Sequence, residues 1–261
     1  MSVGAAWFIG WDVGAWHCDK GDSRDALVIL NHQGKLLCKP WRGNLRSCIA
    51  QSESFSQWLH VVAGLCGLEM PSQVAHEPHT VTLAIDTPLG FSNDFVALLS
   101  GAATTKPFSK FSENPYLYRE TELLLFQHGY SPLSAVKDMI GSQATKGLHF
   151  LRKFGFTPTP SGIWQLNQSS QSHQNPCQHR AFESYPTVLK TSAMVAQYIE
   201  QLRTQTHFDS WNQDSQDATY CAIAALLQTQ HPELMAAPNS DVTAESWIYV
   251  PKECLSDVRK G

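Results

Sequence analysis

The sequence predicts an α/β domain, a mixed sheet flanked by helices with helical and loop insertions. Three observations lead there. The N-terminal run AAWFIGWDVG is apolar up to Asp12 and turns at Gly14. The run VTLAIDTPLGF, residues 81–91, repeats the design: an apolar, β-branched segment stops on Asp86, with Pro88 and Gly90 directly behind it. Between them lie two further strand-like runs and an amphipathic segment. In that order the last strand can pair parallel to the first through a right-handed crossover.

Residues 5–12 read as a buried strand. DALVILN (25–31) and GKLLCK (34–39) read as a hairpin whose tight turn contains His32, Gln33 and Gly34. Phe55, Trp58, Leu59, Val62, Leu65 and Cys66 recur at helical spacing within 54–67. Beyond the Asp86 strand, 92–101 reads as a short helix capped by Ser92 or Asn93. Residues 114–128 read as a helix entered through Pro115, and 142–154 as one closed by Gly155. The stretch 157–179 is rich in Pro, Ser, Gln, Asn and His and reads as a loop insertion. RAFESYP (180–186) reads as a strand, 187–203 and 214–230 as helices, and SWIYVP (246–251) as a terminal strand. With no repeat or linker, one domain over residues 1–261 is expected.

Composition narrows the function classes. The chain has 261 residues, 43% apolar, with a net charge of -4 and a pI near 6.2. That balance argues against avid non-specific nucleic-acid binding, although a local basic groove remains compatible with it. Seven cysteines without a CxxC pair, and no secretory pattern, point to free thiols in the cytoplasm. No apolar run approaches the roughly 18 residues of a membrane span.

The chemistry-bearing residues are acidic. Asp12 and Asp86 end two buried strands, where a carboxylate is costly without a partner and a divalent cation is a common one. Asp214 and Asp217 share one face of a helical first turn. Capping is their ordinary role there. However, Ala218, Ala222 and Ala225 would let that helix lie close to a sheet and bring its first turn to the strand ends. Glu183 lies within an apolar strand run. Carboxylates so gathered suit one or two Mg²⁺ or Mn²⁺ ions that activate water against a phosphodiester. Arg119 and Lys146 are candidates to hold the substrate phosphate, with Lys137 and Arg152 nearby in sequence. His173, Cys177 and His179 have loose zinc-like spacing without an evident fourth ligand. Trp7, Trp11 and Trp16 could stack bases, but packing is the commoner role. No GxSxG, P-loop or GxGxxG motif occurs.

WDVG, AIDTPLGF, ESYP and DSQDATYCAIAAL, with the closing WIYVP, resemble the uncharacterised domain family 429, whose members are predicted nucleases of the ribonuclease-H-like fold. The resemblance runs from about residue 8 to residue 251. The order Asp12, Asp86, Asp214, Asp217 is also similar to the Holliday-junction resolvase branch of that superfamily. The resemblance implies Asp12, Asp86, Asp214 and Asp217 as metal ligands, with Asp12, Asp86, Glu183 and Asp217 carrying catalysis. It implies a nucleic acid or nucleotide as substrate. Two other readings stand beside it. One is a non-catalytic module binding nucleic acid or protein on the same fold. The other is an actin-like phosphotransferase, which shares the Asp12–Val13–Gly14 turn but requires a second glycine-rich phosphate turn that this chain lacks.

Overall fold

A computed structural model describes residues 6–16, 24–68, 80–102, 107–110, 113–168 and 177–256. Its strands are β1 (Ala6–Asp12), β2 (Asp25–Leu30), β3 (Trp41–Gly43), β4 (Thr80–Asp86), β5 (Thr157–Pro158), β6 (Trp164–Gln168) and β7 (Cys177–Glu183). Its helices are α1 (Arg46–Gln51), α2 (Phe55–Leu65), α3 (Asn93–Leu99), α4 (Glu120–Gln127), α5 (Gly141–Lys153), α6 (Pro186–Leu189), α7 (Ala193–Gln205) and α8 (Gln213–Gln230). The strands form one seven-stranded sheet in the order β3-β2-β1-β4-β7-β6-β5. β4 pairs parallel with β1 and β7 parallel with β4; β1–β2, β2–β3, β6–β7 and β5–β6 are antiparallel.

Alternation along β1 divides the core into two layers. Trp7, Ile9 and Trp11 point to one face, with Leu27, Ile29, Val81, Leu83 and Ile85, and meet α2 and α5 through Phe55, Trp58, Phe150 and Leu151. Phe8, Val28, Leu30, Ala84 and Phe182 point to the other face, under α7 and α8. Trp7 and Trp11 are therefore core residues rather than a stacking surface.

The small residues of α8 do bring it close to the sheet. A Cβ on Gly10 would sit 1.8 Å from the Ala218 carbonyl oxygen and 2.4 Å from the Ala222 nitrogen. Backbone cannot yield by that much. Gly10→Ala is expected to push α8 outward at a cost of at least ~1–3 kcal/mol in denaturant unfolding, the usual range for overpacking. An unchanged midpoint would show that the helix can slide.

Several boundaries differ from expectation for local reasons. The turn at 31–35 forms, with the Asn31 side chain accepting from Gln33 and Lys35 N–H groups and Gly34 at φ +72°. The third strand, however, is Trp41–Gly43 rather than 34–39, where only Leu36 bridges to Leu30. The helix expected over 114–128 starts at Glu120, because the Asn114 side chain accepts from the Tyr116 N–H and holds a turn. The helix expected over 187–203 breaks into α6 and α7, since Ser192 caps α7 by accepting from the Val195 N–H. Ser92 caps α3 in the same way. The insertion at 157–179 is not only loop: β5 and β6 extend the sheet edge, and 169–176 lie outside the described residues. The expected terminal strand at 246–251 makes only single bridges, Ile248 to Glu183 and Pro251 to Met235. No helix among the described residues is long and apolar enough to cross a membrane.

Candidate active site

Asp12 and Asp86 are register partners on parallel neighbouring strands. Such strands run roughly 4.8 Å apart, so the two carboxylates emerge side by side at the carboxyl ends of β1 and β4. Among the described residues neither side chain has a hydrogen-bonding or ion-pair partner at contact distance. Burial, then the charges of Asp214, Asp217 and Asp25, push the Asp12 carboxyl from its ordinary 3.8 up to about 8, with Arg42 opposing. Burial, then Asp12, Asp217 and Glu183, push Asp86 well above its ordinary value, with Lys190 opposing. Two like charges at about 4 Å repel by ~4 kcal/mol at an effective dielectric of 20. The pair therefore holds a proton unless a cation is supplied.

The carboxylates line a cavity of about 450 Å³, together with Thr87, Glu183, Ser184 and Tyr185. The Thr87 hydroxyl is buried and, among the described residues, has no hydrogen-bond partner. The Ser184 hydroxyl lies beside the Cys221 thiol, whose pKa burial and then Asp86 push upward.

The first turn of α8 reaches this set as expected, but its carboxylates are engaged. The Asp217 carboxylate meets Lys190 Nζ at 2.6 Å and accepts from Gln213 Nε2 at 2.9 and 3.0 Å. Asp214 accepts from Arg42 Nε at 2.5 Å. Neither caps the helix, because Asn212 does, accepting from the Ser215 N–H at 2.9 Å. Among the described residues no three His, Cys, Asp or Glu side chains stand at a spacing that holds an ion. What is assembled is two unpaired carboxylates with a third turned to Lys190.

Three expected site residues have structural employment instead. Arg119 is buried and donates all five of its N–H groups. Nε and Nη2 go to Glu122 at 2.9 and 2.7 Å, Nη1 and Nη2 to Glu183 at 2.6 and 2.7 Å, and Nη1 also to the Glu245 carbonyl at 3.0 Å. Burial works against this guanidinium charge, but Glu183 and Glu122 outweigh it and raise its pKa. Burial likewise raises Glu122 above the usual carboxylate range, against the pull of Arg119. Arg119 thus has no donor left for a substrate phosphate. Glu183, which lines the cavity, has both oxygens on Arg119 and also accepts from the Leu89 N–H at 2.9 Å. It anchors the turn after Asp86 and has little free ligating capacity.

Lys146 is fully buried against Asp25, at 2.6 and 2.7 Å, and donates to the Gly14 carbonyl at 3.0 Å. Burial lowers its pKa, with Asp25 opposing. It does not reach a phosphate site. Gly147 permits a close approach, as its neighbour position suggested, but to Thr87 and Leu89, which a Cβ there would meet at 2.8 and 2.9 Å. Asp25 escaped the sequence reading. Its carboxylate accepts from Trp11 Nε1, Gly14 N, Leu45 N and Lys146, and so fixes the turn that follows Asp12. The available signal was a carboxylate opening a strand buried at every position. Of the loose zinc-like set, His173 lies outside the described residues, while the His179 ring is buried 5.0 Å from Phe55.

Comparison with protein-family models, with curated proteins and with solved structures returned no match.

Proposed function

We propose that the chain is a metal-dependent phosphodiesterase, a nuclease of the ribonuclease-H-like class within the family 429 resemblance. The observation that carries this reading is the Asp12–Asp86 pair: adjacent in register, partly buried, unpartnered and at a cavity mouth. The antiparallel β3-β2-β1 unit with β4 and β7 added in parallel supports the fold assignment.

The residues present fit a hard divalent ion. The donor set is all oxygen, and Mg²⁺ or Mn²⁺ is commonly held by one or two carboxylates with its remaining positions left to water and substrate phosphate. Asp12 and Asp86 would hold it, and Asp217 would join once released from Lys190. Such an ion supplies the positive charge that the carboxylates lack and that a hydrolysed phosphodiester requires. Lys190 then takes the phosphate-holding role expected of Lys146 and Arg119, because it meets Asp217 and its charge acts on Asp86. The buried Thr87 hydroxyl provides a hydrogen bond to a phosphate oxygen or water in the cavity. Water adds across the P–O bond without a covalent enzyme intermediate.

The test is a Mn²⁺ and Mg²⁺ titration followed by thermal melting, and then a panel of DNA, RNA and small phosphodiester substrates. Saturation at a hundred times Kd is expected to stabilise by about 2.7 kcal/mol. Asp86→Asn should lose that shift and all metal-dependent hydrolysis. Asp217→Asn should weaken the Mn²⁺ response with little loss of stability. Absence of both a metal shift and hydrolysis in the parent protein would leave the non-catalytic reading in its place.

A further inference from the structure

We infer that a second cavity beside the carboxylates, walled by Tyr118, Leu123, Phe126, Leu133 and Lys137, is a nucleobase subsite. It would seat one base of a strand whose phosphate lies at Asp12 and Asp86, and it rests on the phosphodiesterase reading above.

Position comes first. This cavity, about 710 Å³, shares Ser131, Pro132 and Leu133 with the 450 Å³ carboxylate cavity. The 131–133 segment therefore lines both cavities. A polynucleotide can fill two adjoining cavities, since phosphate and base are parts of one repeating unit.

The lining matches a base. Tyr118 and Phe126 form an aromatic corner, with ring centroids 5.1 Å apart at 86°. Leu123 and Leu133 complete the apolar wall, and Leu133 is 53% exposed. A flat aromatic occupant would remove that surface from water, and stacking on aromatic walls is the sequence-tolerant way in which single strands are held. Gln127 in the lining offers a donor and an acceptor to a base edge.

Charge favours a nucleotide over an apolar peptide. Lys137 stands 5.8 Å from the Tyr118 ring centroid; its side chain is 44% exposed, while its ion-pair partner Asp138, at 3.4 Å, is half-buried. A pair open to water on the lysine side holds that lysine weakly. Lys137 can therefore turn to the phosphate of the nucleotide whose base fills the cavity.

The experiment compares a labelled single-stranded oligonucleotide with an abasic sugar-phosphate oligomer of equal length. Binding is measured by fluorescence anisotropy on the full chain, in the Asp12→Asn background so that nothing is cleaved. The base-bearing oligomer should bind about tenfold tighter or more, the scale of one stacked base. Phe126→Ala and, separately, Leu123→Ser should abolish that preference while leaving the abasic affinity within about twofold. Leu123 is exposed and lines the second cavity but not the carboxylate cavity, so its variant folds even if Phe126→Ala does not. Equal affinity for the two oligomers, a preference that survives Leu123→Ser, or no binding of either would overturn the subsite. Hydrolysis by the parent protein is scored separately. Cleavage without base preference removes the subsite and keeps the phosphodiesterase. Base-dependent binding without cleavage does the reverse.

Discussion

Arg119→Met should lower unfolding stability by about 3–5 kcal/mol, the usual consequence of removing one partner from a buried charge cluster. The loss comes from what is left behind. Glu122 and Glu183 would remain buried side by side, without the guanidinium that supplies five hydrogen bonds. Arg119 is what holds the Glu122 carboxyl down against its burial, so without it the variant should recover stability as pH falls and Glu122 becomes neutral. A triple variant, Arg119→Met with Glu122→Gln and Glu183→Gln, should regain much of the difference. Equilibrium denaturation at pH 5 and pH 8 checks both expectations. A loss below about 1 kcal/mol would mean that water reaches the cluster.

Asp12→Asn should act in the opposite direction on stability while ending any hydrolysis. In the folded chain the Asp12 carboxyl titrates near 8, against an ordinary 3.8. Between those values the native state binds a proton that the unfolded state does not. Stability therefore falls as pH rises from about 4 to about 8, and the asparagine variant removes that slope. Melting temperature at pH 8 should rise by several degrees, since each kcal/mol is worth roughly 2–4 °C in a chain of this size. At pH 4 the two proteins should melt alike. A lower melting temperature for the variant at pH 8 would identify Asp12 as a structural anchor instead.

These predictions separate what was legible in the sequence from what was not. The strand ends at Asp12 and Asp86 were readable because burial, β-branching and an abrupt turn coincide there. The approach of α8 was readable from its run of alanines. The parallel placement of β4 beside β1 required only the crossover rule, whereas β5 and β6 lay in a stretch that reads as loop. The partners of charged side chains were not readable. Arg119 and Lys146 look like exposed helix-face cations by spacing alone, yet both are buried, one against Glu122 and Glu183, the other against Asp25. Glu122 is only three residues from Arg119, but nothing local records the other two pairings, because Glu183 is 64 residues from Arg119 and Asp25 is 121 from Lys146. The helix cap was not legible either, for a smaller reason. Asn212 and Asp214 both suit a first turn, and the backbone enters the helix at the former.

The ends of the sheet carry a consequence for self-association. One outermost strand is the three-residue β3, the other the two-residue β5, which ends on Pro158. Short margins with a missing N–H make poor templates for a neighbouring copy's strand. Fibril-like, strand-to-strand growth of the native state through β3 or β5 is therefore disfavoured.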